Sequence, residues 1–377
     1  MPPAASPPDR LLLVGAGHAH LEILRRLGEE PRFTATVVTL DERHYYSGMV
    51  PGYLAGTYSA EEISFDVPAL ADRAGVTFLL GRAVRIDADA RHVDLEDGTR
   101  LPFDLASCDT GSLTAGASSP GVEEHAVQVK PFHRAGDLRR RLLELASRRD
   151  AGTRQVVMVG GGAAGVEVAF AVASLLDAAG GDRSVTVLER GPHILSGYSE
   201  RFRRRARRAL AERRIALRTR STVAEVTAAS VRLADEDSLP SDLTIWLTGP
   251  TASPLYADSG LPTDSRGFML VDPALRCLAA PHLLGAGDCV TLADHPETPK
   301  AGVYAVRQAP VLWQSLLAAR DGSPPPAYTP QASFLSLLNT ADGRALLRYK
   351  ALVAHARWAF RLKDRIDRGF MRKYQEA

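Results

Sequence analysis

Two glycine constellations in this chain have the spacing that phosphate binding asks for. The first, in LLLVGAGHAH (residues 11–20), sets Gly15 and Gly17 behind an apolar run, with His20 where a third glycine would complete G-x-G-x-x-G. The second, in VVMVGGGAAG (156–165), supplies Gly160, Gly162 and Gly165. The first glycine permits a tight turn. The second lets backbone N–H groups approach a diphosphate at a helix N-terminus, which carries about half a unit of positive charge. The third allows close helix–strand packing, so His20 implies a slightly wider crossing or a partly exposed ring, without abolishing the cradle. Each constellation is followed by an acid placed to bind ribose hydroxyls, Asp41 after the first and Glu189 after the second. One such pattern is weak evidence; two in the same context are strong.

The elements that must carry these residues can be read beside them. Leu11–Val14 predicts a strand, HLEILRRLGEE a helix and ATVVTL (35–40) a second strand. RQVVMV, the helix after Gly165 and SVTVLER (184–190) repeat the unit. In residues 76–112, short alternating strands around an EDG turn predict a small antiparallel sheet inserted on a doubly wound domain. GFMLVDPALRCLAAPHLLGAGDCV (267–290) returns to short strands, and TPKAGVYAVRQAPVLWQSLLAAR then opens a helix. DGSPPPAYTP (321–330) marks a proline-rich boundary, beyond which the tail is expected to be wholly helical.

Composition narrows the class. At 377 residues the chain has room for about two or three domains. Its 45% apolar and 24% charged residues are ordinary for a soluble enzyme, and a net charge of +2 gives no reason to expect a nucleic-acid partner. MPPAASPPDR reads as a frayed tail and not as a signal peptide. Residues 156–176 are apolar enough to suggest a membrane span, but their glycines and Glu167 favour a buried strand, turn and helix. The three cysteines, Cys108, Cys277 and Cys289, form no C-x-x-C pair, so neither a zinc knuckle nor a local redox dithiol is supported. A sparse, odd count suits a reducing cytoplasm.

The order of these pieces resembles the two-dinucleotide-binding-domain flavoproteins of the pyridine nucleotide-disulfide oxidoreductase superfamily, over nearly the whole chain after residue 10. The DTGS stretch (Asp109–Ser112) resembles the segment that closes the first FAD portion. LLGAGDCV resembles the late G-D motif, whose aspartate, here Asp288, would hydrogen-bond the ribityl chain. The resemblance implies an α/β fold of two Rossmann-like domains, an FAD domain split by an inserted NAD domain, plus a C-terminal helical segment. The implied boundaries are 1–115 and 253–325 for FAD, 116–252 for NAD(P)H and 326–377 for the tail. It further implies FAD contacts at Gly15, Gly17, His18, His20, Asp41, Pro51, Val84, Thr110, Gly111, Gly287, Asp288, Lys300 and Ala301. NADH contacts are implied at Gly160, Gly162, Gly165, Glu189 and Gly249.

Without a cysteine pair after the first fingerprint, reduced flavin must pass electrons directly to its acceptor, as in type II NADH:quinone oxidoreductases. PKAGVYAVRQ (299–308) is similar to the segment that sets a helix N-terminus against the flavin beside the quinone pocket, with Gln308 matching its last glutamine. GHAH, YSGMVPGYLAG and KAGVYAVRQ together resemble a subfamily fused in some members to selenide, water dikinase. The resemblance implies catalytic roles for Glu167 near the nicotinamide, Lys300 and Gln308. Glu167 as a paired residue at a domain interface is the alternative. Lys130 is a second candidate cation, with an ordinary surface lysine as its alternative. Glu189 would repel a 2′-phosphate and favour NADH, a preference that Arg190 could soften. A sulfide- or selenium-linked flavoprotein using Cys289, and a nucleotide-sensing interaction protein, remain the other readings.

Two basic stretches stand apart. RFRRRARRALAERR (201–214) is expected to be a solvated helix face. From Arg344 to Lys373 there are ten Lys or Arg against two Asp, and Trp358, Leu362, Ile366 and Phe370 recur every four residues. An amphipathic basic helix follows, facing either an anionic membrane through residues 344–374 or the protein's own body or a second subunit in a homodimer. The expected location is cytoplasmic, peripheral on the inner face of the cell membrane if the face is free, with a quinone as acceptor.

Overall fold

A computed structural model of the chain describes residues 9–130, 134–148 and 152–375. The stretch expected to fray lies outside these residues as far as position 8. Four parallel strands begin the fold: β1 (Arg10–Val14), β2 (Thr34–Thr39), β3 (Thr77–Leu80) and β4 (Leu105–Cys108). Leu11 to Val14 are all buried, as expected of a central strand covered on both faces. Helix α1 (His18–Glu29) links β1 to β2 and buries Leu21, Ile23, Leu24 and Leu27. The antiparallel sheet expected around the EDG turn is present as Ala83–Asp87, His92–Leu95 and Arg100–Pro102.

The second unit has five parallel strands: β5 (Ala126–Gln128), β6 (Arg154–Val159), β7 (Arg183–Glu189), β8 (Ile215–Thr219) and β9 (Leu243–Trp246), in the order β5-β9-β6-β7-β8. Helix α2 (Ala163–Ala179) joins β6 to β7 and is buried over most of its length, which accounts for its apolar composition without a membrane. Helix α3 (Glu200–Glu212) joins β7 to β8; it buries Phe202, Ala206, Ala209 and Leu210 and leaves Arg201, Arg204, Arg205 and Arg208 exposed. That is the solvated basic face expected of it.

The chain then returns to the first sheet through β10 (Met269–Val271), β11 (Arg276–Cys277), β12 (Ala280–Gly285) and β13 (Val290–Leu292). The completed eight-stranded order is β13-β10-β11-β12-β4-β1-β2-β3. Leu283, Leu284 and Gly285 pair in parallel with Ala106, Ser107 and Cys108. Helix α4 (Gly302–Asp321) follows, with Ala301 as its N-cap.

The tail is not wholly helical. Strands β14 (Ser336–Asn339), β15 (Ala345–Tyr349) and β16 (Leu352–Ala356) form an antiparallel sheet, and only α5 (Arg357–Gln375) is helix. Alanine, leucine and arginine favour helix locally, but β14 offers a ladder that buries Leu346, Leu347 and Val353, and tertiary pairing overrides the propensity. The expected stripe on α5 is also displaced. Ala359, Lys363, Asp367 and Met371 face the body, one residue along from Trp358, Leu362, Ile366 and Phe370, while Trp358 and Ile366 stay exposed. Lys373 and the Tyr374 hydroxyl reach buried Glu22 of α1 at 2.7 and 3.1 Å, tying the chain's end to its beginning. Burial alone would raise the Glu22 pKa, but hydrogen bonds from Arg25, Lys373 and Arg26 hold it at about 2.

The first glycine turn leaves no room for a side chain. Gly15 has φ +89°, and a Cβ there would lie 2.5 Å from the Asp109 carbonyl oxygen. Gly15→Ala is therefore expected to destabilise the fold by about 3 kcal/mol. A urea midpoint equal to wild type would refute the role assigned to this turn.

Candidate functional site

The first glycine loop is closed by side chains from β4. His20 is fully buried, with Nδ1 2.6 Å from the Gly15 carbonyl and Nε2 2.9 Å from the Ser107 hydroxyl. Of the two expectations, the partly exposed ring is corrected: the imidazole is buried and both its nitrogens are satisfied. Burial lowers its pKa to about 4, so the ring is neutral; it donates from Nδ1 to the carbonyl and accepts the Ser107 hydroxyl at Nε2. Asp109 follows on the same strand end. Its Oδ2 accepts the N–H groups of Ala19 and His20 at 2.8 and 3.1 Å, and its carboxylate occupies the space a Cβ on Gly17 or Gly287 would need.

The remaining first-unit candidates spread around this loop. His18 is buried, its Nε2 has no hydrogen-bond partner, and it lies 3.6 Å from where a Cβ on Gly302 would be. Burial lowers its pKa to about 4, against the pull of Asp288. Asp41 accepts the Arg43 N–H beyond the end of β2. Pro51 is buried in the short helix Val50–Leu54, and the Thr110 hydroxyl meets that of Tyr256 at 2.7 Å. Gly111 adopts φ +70° with open space where a side chain would project. Val84 is exposed on the inserted sheet.

Asp288 sits across the loop in the 3-10 turn Gly287–Cys289. Its Oδ2 accepts from Ser112 at 3.0 Å and from Lys130 at 3.2 Å, and Lys130 also donates to Ser112 at 2.8 Å. The two lysine candidates thus fall unequally. Lys130 is engaged with the Asp288 carboxylate, whereas the Lys300 ammonium turns to the Val290 carbonyl and the Thr291 hydroxyl and lies 4.2 Å from the Phe268 ring centre. Burial lowers the Lys300 pKa to about 8. The Gln308 side chain accepts the Gly287 N–H at 2.7 Å, so it braces the turn that presents Asp288.

In the second loop, Gly160 has φ +119°, and a Cβ there would run into the Leu247 carbonyl. The space around a Cβ on Gly162, the N-cap of α2, is open, while Gly165 packs on Gly160 as the fingerprint requires. Glu189 accepts from the N–H groups of Gly161 and Gly191 at 2.9 and 2.6 Å, which fixes its carboxylate beside the glycines. The Gly249 carbonyl accepts the Ala115 N–H where the chain crosses between the units.

Glu167 occupies neither loop. It is half-buried on α2, where its Oε1 accepts the Asn339 N–H at 2.7 Å. Close by on α5, Lys363 donates to Asp367 at 2.8 Å and to the Gly48 carbonyl at 2.7 Å, and Tyr46 donates to Asp367 at 3.2 Å. Burial raises the Glu167 pKa to about 7, opposed by Lys363 and the Asn339 N–H. Burial also works against a charge on Lys363, but Asp367 and Glu167 outweigh it and keep the ammonium. Phe370 stacks on Tyr46, with ring centres 4.6 Å apart, and both rings approach His18. Sequence reasoning did not single out Tyr46, Lys363 or Asp367. The YSGM stretch and the unusual acid in DTGS were the available signals; the tail's charges looked like surface.

Residues 9–309 match the family model described as pyridine nucleotide-disulphide oxidoreductase. The chain belongs to this family. It is 28% identical over 355 residues to demethylphylloquinone reductase NdbB of Synechocystis, covering 89% of this chain and 86% of that protein. It is 24% identical to the NADH dehydrogenase-like protein YutJ of Bacillus subtilis, over 89% of this chain and 91% of that one. Its fold is similar to sulfide:quinone oxidoreductase of Aquifex aeolicus (TM-score 0.83, 17% identity, 98% and 92% covered). It is also similar to NDH2 of Plasmodium falciparum in complex with NADH (TM-score 0.79, 13% identity, 98% of each chain). The fold is therefore the two-nucleotide α/β architecture, and the chain is an oxidoreductase whose cofactors are FAD and NAD(H). The residues fit those groups: the orphaned His18 Nε2 and the glycine-lined turns face the first cradle, and Gly162 leaves the second open.

The buried charge cluster gives a direct test of how the tail is held. Lys363→Met is expected to destabilise by about 3–5 kcal/mol by leaving Asp367 unpaired, and Lys363→Met with Asp367→Leu to recover most of that loss. A double variant no more stable than the single one in chemical denaturation would show that the pair does not act as a unit.

Proposed function

We propose that the protein is an FAD-dependent NADH dehydrogenase that passes electrons to a quinone-like acceptor without a redox-active disulfide. Bound FAD would supply a two-electron carrier between NADH and the acceptor. The observation that carries the reading is the cluster of buried Lys363 and Asp367 with half-buried Glu167 and Tyr46, where α2, α5 and the Tyr46–Gly48 loop meet. Quinone reduction consumes two protons for two electrons, and these groups can hold protons in a water-poor wall. Glu167, with a pKa near 7, is neutral or ionised at working pH and suits such a task. The relatives whose names speak of NADH dehydrogenation and quinone reduction support the same direction.

Thiol chemistry is the less favoured reading. Cys108, Cys277 and Cys289 are all buried and free. Burial pushes the Cys289 thiol up to about 11, and Cys108 is raised as well, so neither forms the thiolate that sulfide capture needs. Glu189, fixed by two backbone N–H groups, presents its charge where a 2′-phosphate would meet repulsion. Mixed anaerobically with the holoprotein, NADH is expected to bleach the flavin at least about tenfold faster than NADPH, and Glu189→Arg to narrow that gap. Equal rates would overturn the nucleotide preference. A flavin that neither nucleotide bleaches would overturn the function.

Peripheral docking on an anionic membrane belongs to the same proposal. No helix among the described residues is long and apolar enough to cross a membrane. The tail exposes Tyr349, Leu352, Trp358 and Ile366 beside the exposed Arg357, Arg361 and Arg365, a combination suited to an interface. Each basic side chain near such a surface adds about 1 kcal/mol. Because the opposite face of α5 is built into the body, point changes test this better than truncation. Trp358→Ser with Ile366→Ser is expected to lose co-sedimentation with phosphatidylglycerol vesicles while the flavin stays bound; unchanged binding would refute the anchor.

A further inference from the structure

The two glycine loops differ in what already occupies the helix behind them. On α2, no carboxylate meets the first-turn N–H groups among the described residues, and Glu189 is held by Gly161 and Gly191 instead. On α1, Asp109 takes the N–H groups of Ala19 and His20. A carboxylate built into the chain therefore stands at the positive end of the helix whose glycine loop must also receive the FAD diphosphate. His18 is buried on the same turn, with its Nε2 unpartnered.

The charges around Asp109 do not balance a second anion. From α1 it meets the N–H groups of Ala19 and His20, on a turn whose His18 and His20 rings are neutral, and from β4 the Cys108 thiol. From the Gly287–Cys289 turn it faces the Asp288 carboxylate and the Cys289 thiol. Lys130 is spent on Asp288 and Ser112, and Lys300 on Val290 and Thr291. A helix end worth about half a charge cannot neutralise a diphosphate and a buried carboxylate together. Burial and Asp288 have already brought Asp109 to about 7, even with two N–H donors opposing them, so its proton is available near neutrality.

We propose that Asp109 and the FAD diphosphate compete for the positive end of α1, so that FAD binds with uptake of one proton by the Asp109 carboxylate. The proton comes from solvent and returns there when FAD leaves; no covalent bond changes. The neutral acid keeps one oxygen as acceptor for the Ala19 and His20 N–H groups, so the loop stays closed while its charge is removed. His20 and Ser107 hold the strand end that presents Asp109, and Gly17 and Gly287 make room for it.

The test reads cofactor affinity, not turnover. Holoprotein diluted at a series of pH values regains flavin fluorescence as FAD dissociates. Above about pH 7 the dissociation constant is expected to rise up to about tenfold per pH unit, the slope of one linked proton. Asp109→Asn is expected to flatten this profile and to bind FAD more tightly than wild type at pH 8.5. Should that variant fold poorly, calorimetric titration of the wild-type apoprotein in two buffers of different ionisation enthalpy counts the proton directly. A flat wild-type profile with no proton uptake overturns the proposal. So does uptake that survives Asp109→Asn and vanishes in His18→Gln, which would assign the proton to the imidazole. A protein that binds no FAD would instead refute the cofactor itself, which separates the two failures.

Discussion

The parallel register of Leu283, Leu284 and Gly285 on Ala106, Ser107 and Cys108 is the constraint on which the rest of this structure depends. The chain leaves the first sheet at Cys108, builds a complete second nucleotide unit, and must return to the edge it left. Only that return carries Asp288 to Ser112 and Lys130 and sets Gly287 against the Asp109 carboxylate. Gln308 then braces the Gly287 turn from α4. A one-residue slip in this pairing would turn Leu283 and Leu284 to opposite faces and carry the turn away with them.

Around this join the molecule keeps an unusual number of titratable groups out of water, and each group's partners decide its charge. Glu22 stays ionised because two arginines and a lysine surround it. Lys363 stays ionised because two carboxylates face it. His18, His20 and His44 have no such partners, and burial keeps them neutral. Asp109 and Glu167 fall between these cases. Each has backbone N–H donors in favour of its charge and burial against it, and each ends near neutrality. They stand at opposite stations, one at the cradle of the first nucleotide loop and one at the seam between α2 and the tail. The two acids most easily switched by a bound anion or an arriving proton thus lie at separate places in the fold, each opposed by burial and favoured by backbone N–H groups.

How far these features could be read from sequence follows their range along the chain. Strand–glycine–helix units announce themselves over about thirty residues, because turn and periodicity are local, and both appear where their spacing placed them. The small antiparallel sheet was visible in its alternation and its EDG turn. His20 was visible as a departure from the pattern, but its burial was not, since the Ser107 hydroxyl that satisfies it comes from another strand. Lys300 read as the stronger candidate and Lys130 as an ordinary surface lysine, and only the return of the chain shows Lys130 on the Asp288 carboxylate. The tail was hardest. Its helix-favouring residues concealed a hairpin stabilised by β14, and the four-residue spacing from Trp358 to Phe370 concealed a docked face one position over. Lys363 and Asp367, charged and on the strongly basic segment, carried no local mark of burial.

That displaced face gives the tail two unlike sides. Had the Trp358–Ile366 stripe packed inward, α5 would have buried its aromatic and aliphatic residues and left Lys363 and Asp367 in solvent. The observed rotation buries Lys363 and Asp367 and leaves Trp358 and Ile366 exposed, with Leu362 and Phe370 partly packed, an arrangement that is costly in water unless both sides are used. The inward side is used: Lys363 and Asp367 reach Gly48 and Tyr46, and Phe370 covers Tyr46 beside His18. A lipid surface against Trp358, Ile366 and the neighbouring arginines would use the outward side. An apolar acceptor held in that surface would then need to cross only the thickness of one helix to meet the buried acids. The same helix carries Lys363 and Asp367 inward and leaves Trp358 and Ile366 outward, so its rotation about its own axis, and not its mere presence, decides which side chains meet the body.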